Sequence, residues 1–433
     1  MKRPTLILTA MLAGSSLLAA CGGGGGGDAT SGGGDTEAAT GPIAIWYSNN
    51  PNEVAWGEQV VAAWNADHPD EEVTGQEIPA GRSSEEVIGA AITAGNTPCL
   101  IYNTAPVAVP QFQKQGGLVN LSTFPDGVEY IDSRTGDAAS QYASADGDFY
   151  QMPWKSNPVM IFYNKGIMTA AGIDPENPPL ATYEEFLATS RTIVTSAASK
   201  YAIYPSPAAE FYQSWFDFYP FFAAESGGTM LVEDGASTFT NEAGTSVAEL
   251  WRTIYAEKLA GNEPYTGDAF ADGLTAMALA GPWAIESYAS LEWGVAPIPT
   301  SGGTAPEEVY TFSDAKNVGM YISCQYTGTA WEFLKFSTSP EQDGALLELT
   351  GQMPMRVDLP AAYPEYFAAN PDYTLFAAQA GRTVEVPNVP NSVEVWQTFR
   401  DGWAGAVILG EGDIATAMKD AATAIDALVA ATD

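Results

Sequence analysis

Apolar positions along the chain fall into short β-rich runs separated by stretches where they recur every three or four residues. Ile43-Ala44-Ile45-Trp46-Tyr47 is a compact run of strand type. Trp56, Val60, Ala63 and Trp64 follow at helical spacing, and Val87, Ala91 and Ala94 mark another helix that stops at Gly95. Cys99 to Tyr102 reads as a buried strand, and Pro106 opens a further helix. A second series starts at Val159-Met160-Ile161-Phe162-Tyr163. Thr182 with Glu185 forms a capping box, and Tyr183, Phe186, Leu187, Ser190 and Ile193 trace one face of the helix it starts. Val247, Leu250, Trp251, Ile254 and Tyr255 repeat that spacing. Ser339-Pro340, with Gln342 three positions after the cap, starts another helix, and the last runs from Asp413. This alternation predicts an α/β fold with mainly parallel sheets, and the length suffices for two lobes.

The N-terminus departs from this pattern. Lys2 and Arg3 precede an apolar stretch, Leu6 to Leu18, that is too short for a transmembrane helix. It ends in Leu18-Ala19-Ala20-Cys21, which looks like a bacterial lipobox. Residues 1–20 are therefore expected to be a signal peptide, with Cys21 lipidated and held at the outer side of the cell membrane. The alternative is an ordinary signal peptide with a chance cysteine. Residues 21–41 are nearly all Gly, Asp, Thr, Ser and Ala and read as a flexible tether. No second long apolar run predicts another membrane span.

Charge narrows the function. Against 17 Lys and Arg stand 53 Asp and Glu, a formal net charge of −36. Without basic clusters to release counterions, nucleic-acid binding is not expected, and anionic ligands are disfavoured. Cys99 and Cys324 both sit in apolar strand-like stretches, where two buried thiols are the simpler reading and a disulfide is permitted by the compartment. His68 is the single histidine, so any nucleophile–His pair would have to use it; no metal-ligand spacing occurs and no cofactor is expected. Paired acids such as Glu85-Glu86, Glu184-Glu185 and Glu307-Glu308 read as solvated faces rather than a glycosidase pair.

Tryptophans at strand ends and in loops are the chemical signal. Trp46, Trp154, Trp215, Trp283 and Trp396 sit where ligands meet α/β sheets, and flat indoles suit the apolar face of a pyranose. For any one of them, core packing is the equal alternative.

From about Ile43 onward the chain resembles extracellular solute-binding proteins of the maltose/maltodextrin-binding type. The likeness rests on Met152-Pro153-Trp154 through Asn164-Lys165, on Asp217 to Ala224 with Gly227-Gly228, and on Ala276-Met277-Ala278-Leu279-Ala280-Gly281-Pro282-Trp283. Gly294 to Pro299, Trp331 to Glu341 with the turn Gly351 to Arg356, and Val386-Pro387-Asn388-Val389-Pro390 with Trp396 continue it in order.

That resemblance implies a two-lobed periplasmic-binding-protein-like fold of type II, its ligand cleft lying between lobes joined by a hinge. Residues 42–153 with about 312–358 would form the first lobe, and about 154–311 with about 359–433 the second. Carried over by position, Trp283, Trp396 and Phe216 would stack on the ligand from the second lobe, and Trp154 is a further ligand-binding candidate. Trp46 and the Ser48-Asn49-Asn50 loop would face it from the first lobe, and Asn49, Asn103, Asn157 and Arg356 would read hydroxyls, Met355 sharing the Arg356 turn. Asn157 replaces a carboxylate of the maltodextrin binder, and Asn103-Thr104-Ala105-Pro106 replaces its Asp and Arg contacts, so the pattern points to a sugar other than maltose. The resemblance thus implies a monomeric substrate-binding subunit of an ABC importer that captures an oligosaccharide for a membrane permease and performs no chemistry. Rival readings are a glycerol-3-phosphate or polyamine binder in the same role, the phosphate needing a basic pocket with Lys155 and Arg356 as candidates, and a lipid-anchored glycosidase.

Overall fold

A computed structural model describes residues 38–431 apart from Asn49 and Arg82. Cys21, the leader, most of the tether and Asn49 lie outside the described residues.

The first lobe begins with β1 (Ile43–Tyr47), β2 (Val73–Glu77), β3 (Leu100–Thr104) and β4 (Met152–Ser156). The chain then enters the second lobe through β5 (Met160–Asn164) and β6 (Tyr201–Ile203), a small hairpin β7 (Val232–Glu233) and β8 (Ala236–Ser237), and β9 (Thr275–Ala280) and β10 (Trp293–Ala296). It returns through β11 (Thr311–Phe312) to β12 (Lys316–Met320) and β13 (Met353–Pro354), and crosses again to β14 (Thr383–Val384). One sheet runs β13-β4-β12-β3-β1-β2 and the other β10-β5-β9-β6.

The sheets are mixed rather than mainly parallel. β12 is antiparallel to both β3 and β4, and β5 is antiparallel to both β9 and β10. The reason is the crossing of the chain: a strand coming back from the other lobe enters its sheet at the junction, opposite to the strands that end there.

Local chemistry sets the helix ends. Gly95 closes the Ser84–Ala94 helix in the left-handed region, and Thr182 and Glu185 make the reciprocal capping box of the Tyr183–Thr195 helix. Ser339 and Asp413 cap the Pro340–Thr350 and Ile414–Ala430 helices through their side-chain oxygens. Two apolar cores result. One is built on Trp56, Trp64, Tyr102, Trp154 and Trp331 of the first lobe; the other gathers Phe218, Phe221, Phe222, Trp251, Trp396 and Trp403 of the second.

Cys99 and Cys324 are joined in a disulfide, with Cα atoms 4.4 Å apart, rather than buried as separate thiols. The Tyr321 N–H donates to the Cys99 carbonyl at 2.9 Å, so the pairing of β3 with β12 brings the two side chains together. His68 is half-buried and stacks on Trp64 with ring centroids 3.7 Å apart.

The lobes touch at several places besides the connecting segments, among them Gln141 to Ala143 against Thr383 to Asn388. The single turn Pro106–Ala108 packs on the Ser392–Trp403 helix, and Ala105 and Val107 join the second lobe's core. Elsewhere Asn52 Nδ2 donates to Glu286 Oε2 at 2.7 Å.

Candidate functional site

The strand ends at the lobe junction bring a small set of side chains together. In β3, Asn103 adopts φ 61°, in the left-handed region that Asn tolerates better than most residues. The register confirms a bulge there: Thr104 faces Asn317 but Ile101 faces Gly319, so β3 carries one residue more than β12. The bulge ends the ladder and delivers Ala105 to the junction. On the connecting segment Asp314, also at positive φ (35°), bonds Lys316 Nζ at 2.7 Å. From the second lobe, the chain after β6 forms a single turn, Gln213–Phe216, whose neighbourhood is aromatic.

Between these elements lies a cavity of about 220 Å³. Glu85, Ala105, Asp314 and Lys316 form one side; Phe211, Tyr212, Trp215 and Phe216 form the other. An adjoining cavity of about 370 Å³ shares Tyr212 and Phe216 and extends past Gln213 to Tyr204, Asp268 and Tyr288. Phe216 in turn meets Trp283 edge-on, centroids 6.4 Å apart. Larger openings flank the Asn52–Glu286 bond and the Gln111–Gln115 segment, but neither is faced by such an aromatic wall from one lobe and charged groups from the other.

The electrostatics favour hydrogen bonding over anion capture. Burial works against the Lys316 ammonium, yet Asp314 in contact, with Glu385 and Glu85 further off, holds its pKa above the ordinary lysine value. Lys316 is thus a committed cation whose charge is already balanced. Behind it Glu385 is fully buried and accepts from Val386 N at 2.7 Å and from Ala315 N and the Tyr142 hydroxyl at 3.3 Å. Burial pushes its carboxyl up to about 7.

The sequence-predicted residues fall into three groups. Phe216 lines both cavities and Trp283 backs it, half-buried. Asn103 stands at the bulge with no side-chain hydrogen bond among the described residues. Asn157 lies near the junction, 3% exposed, its Nδ2 donating to Gln352 Oε1 at 3.3 Å while its Oδ1 has no protein partner.

Trp46 is half-buried on the sheet face beside Ile78, Ile88 and Phe112. The remaining four are corrections. Trp154 is fully buried between Trp56 and Tyr102, because β4 is an interior strand with both faces covered. Trp396 is also fully buried, against Trp215 and Tyr219, since the Ser392–Trp403 helix turns that face into the second core. Met355 packs on Tyr142 and Ala315. Arg356 is bound to Asp343 at 2.9 Å and to the Thr338 carbonyl, beside Arg134, and is therefore spent on the first lobe. Lys155, the other basic candidate, is buried in an ion pair with Glu53.

Sequence reasoning missed Glu85, Asp314, Lys316 and Tyr212. The crowded aromatic run from Phe211 to Phe222 was the available signal for Tyr212. Glu85 had been read as part of a solvated face, but is half-buried at the cavity.

Two α/β lobes meet at a cavity faced from both sides, the arrangement of a ligand-binding cleft. Residues 59–375 match the family model described as bacterial extracellular solute-binding protein, and the chain belongs to that family. The diacetylchitobiose binding protein DasA of Streptomyces coelicolor is 26% identical over 341 residues, 74% of this chain and 76% of that one. The maltodextrin-binding protein MdxE of Bacillus subtilis is 24% identical over 321 residues, 70% and 71% of the two chains. The crystal structure of the cyclic alpha-maltosyl-1,6-maltose binding protein from Arthrobacter globiformis superposes with a TM-score of 0.77, at 21% identity, over 90% of this chain and 99% of that one. Among the described residues no helix is long and apolar enough to cross a membrane.

Proposed function

We propose that the protein is the substrate-binding subunit of an ABC importer, anchored through lipidated Cys21, that captures an oligosaccharide and hands it to a membrane permease without altering it. The observation that carries this reading is the composition of the junction cavity: an aromatic wall, Phe211 to Phe216, opposite paired charges, Asp314 and Lys316. Aromatic faces accept the apolar faces of sugar rings, and a charge-balanced pair offers both acceptors and donors to hydroxyls. An unused polar atom adds to that capacity: Gln213, on the adjoining cavity, has its Oε1 buried without a protein partner. A phosphate ligand is disfavoured because Lys316 is already neutralised and Lys155 and Arg356 face elsewhere. The names of the relatives agree in chemistry, since one is a diacetylchitobiose and another a maltodextrin binder. The lobes would be divided as the chain crossings suggest, near residues 156–160, 312–316 and 354–359.

The test is a thermal-shift series on the protein beginning at residue 22, with maltotriose, diacetylchitobiose, glycerol-3-phosphate and spermidine. The reading expects stabilisation by a sugar, at least tenfold weaker binding in Phe216→Ala, and no change in the sugar on recovery. Stabilisation by spermidine or glycerol-3-phosphate alone would remove the sugar, and hydrolysis of the oligosaccharide would remove the transport reading.

A further inference from the structure

The second lobe holds a buried carboxylate that ligand capture does not directly use. Asp217 is 0% exposed at the start of the Phe218–Ser226 helix, beside Trp403, and no cation pairs with it among the described residues. A lone carboxylate in an apolar core is costly unless its bonds are needed. Its bonds are specific. Asp217 Oδ2 accepts from Gln213 Nε2 at 2.7 Å and from Trp403 Nε1 at 2.9 Å, and Oδ1 accepts from the Phe218 N–H. Gln213 begins the turn that carries Trp215 and Phe216, and Trp403 ends the helix that carries Trp396. The single turn has no side-chain cap of its own; besides the Asp217 bonds it rests on the same helix through Trp215, whose ring lies 5.7 Å from that of Trp396.

We propose that Asp217 is the positioning residue of the aromatic wall: its carboxylate clamps the Gln213–Phe216 turn to the Ser392–Trp403 helix and so sets the surface the ligand meets. The clamp rests on the binding reading above only for its consequence for affinity. Replacing one oxygen by an amide leaves either the Phe218 N–H or the donors on Oδ2 facing another donor, so Asp217→Asn weakens the clamp, removes its titration and keeps the volume.

The clamp also has a pH signature. The ionisable groups that face Asp217 are the Tyr255 hydroxyl, on the Glu242–Ala256 helix, and the Arg400 guanidinium, which bonds the Ala208 carbonyl and Asp401 instead. Burial pushes the Asp217 carboxyl up to about 6, against the pull of its three hydrogen bonds. If only the ionised form holds the wall, its share at pH 5 is about one in eleven, and affinity falls about tenfold between pH 7.5 and 5.

The experiment follows the indole N–H resonances of Trp403 and Trp215 in ¹⁵N-labelled, ligand-free protein from pH 8 to 5. Both are expected to titrate with one midpoint near 6. Asp217→Asn should abolish both transitions, whereas Gln213→Met should abolish only that of Trp215. A second arm measures affinity against pH with maltotriose or diacetylchitobiose, whichever stabilises the wild type; the tenfold fall should flatten in Asp217→Asn. Glu385 titrates nearer 7 and its contribution would remain in both proteins. The clamp is overturned if Trp215 does not follow Asp217, or if the fall in affinity persists in Asp217→Asn. If neither oligosaccharide binds, the sugar reading fails while the resonance arm still decides the clamp.

Discussion

Removing the Cys99–Cys324 bond should cost stability without costing affinity. The bond joins residues 225 apart in sequence, bridging the start of β3 to the residues just after β12. By the chain-entropy relation, a closed loop of that length restricts the unfolded chain by about 5 kcal/mol at 25 °C. Native bonds more often deliver 2–4 kcal/mol, because reduced unfolded chains keep some structure. Unfolding entropy is about 2.1 cal/mol/K per residue, so for roughly 390 ordered residues each kcal/mol moves the midpoint by about 1.2 °C. The double variant Cys99→Ala/Cys324→Ala should therefore melt about 2–6 °C below the oxidised wild type by calorimetry, and thiol reductant should lower the wild type alike. The bond sits at the end of β3 remote from Thr104 and Ala105, so ligand affinity at pH 7.5 should change less than twofold. Two titratable thiols in unreduced, denatured protein, or equal midpoints with and without reductant, would refute the reasoning.

Two further expectations follow from the junction. Glu385 has its folded pKa raised from 4.5 to about 7, so the folded state takes up its proton first; its contribution is full below pH 4.5 and lost as pH rises through 7, a change of about 3 kcal/mol. Asp217 acts with the same sign at lower pH, and chemical denaturation between pH 5 and 8 should show declining stability that is flatter in Glu385→Gln. Val107 is fully buried in the contact between lobes, and Val107→Ser should weaken sugar binding several-fold and expand the ligand-free protein in small-angle X-ray scattering. Unchanged scattering and affinity would show that this contact does not hold the lobes together.

What the sequence disclosed was local. The Thr182–Glu185 box, Gly95, Ser339-Pro340 and Asp413 lie within a few residues of what they cap, and each appears where its pattern placed it. The family segments also revealed the two-lobed fold, because their order along the chain survives even where identity is low. Strand direction was not legible, since β12 runs antiparallel only because it arrives from the other lobe. The site was only partly legible for the same reason. A tryptophan reads alike on an interior strand and at a cavity; Trp154 and Trp396 became core through neighbours tens to hundreds of positions away. Arg356 looked available until Asp343 and Arg134 were seen to enclose it. Glu85, Asp314 and Lys316 come from distant segments, and no spacing rule relates them.

The place of β12 has a consequence for assembly. It is the strand between β3 and β4 in the first sheet, yet more than 150 residues of the second lobe separate it from β4. A chain that has emerged only as far as β11 holds most of the first lobe's strands with an open slot at their centre and no partner for Cys99. The first lobe is therefore not an autonomous unit of synthesis. The six-stranded sheet can close only after the part of the second lobe from β5 to β11 has been made, and a contiguous fragment ending before Met320 cannot stand in for the first lobe.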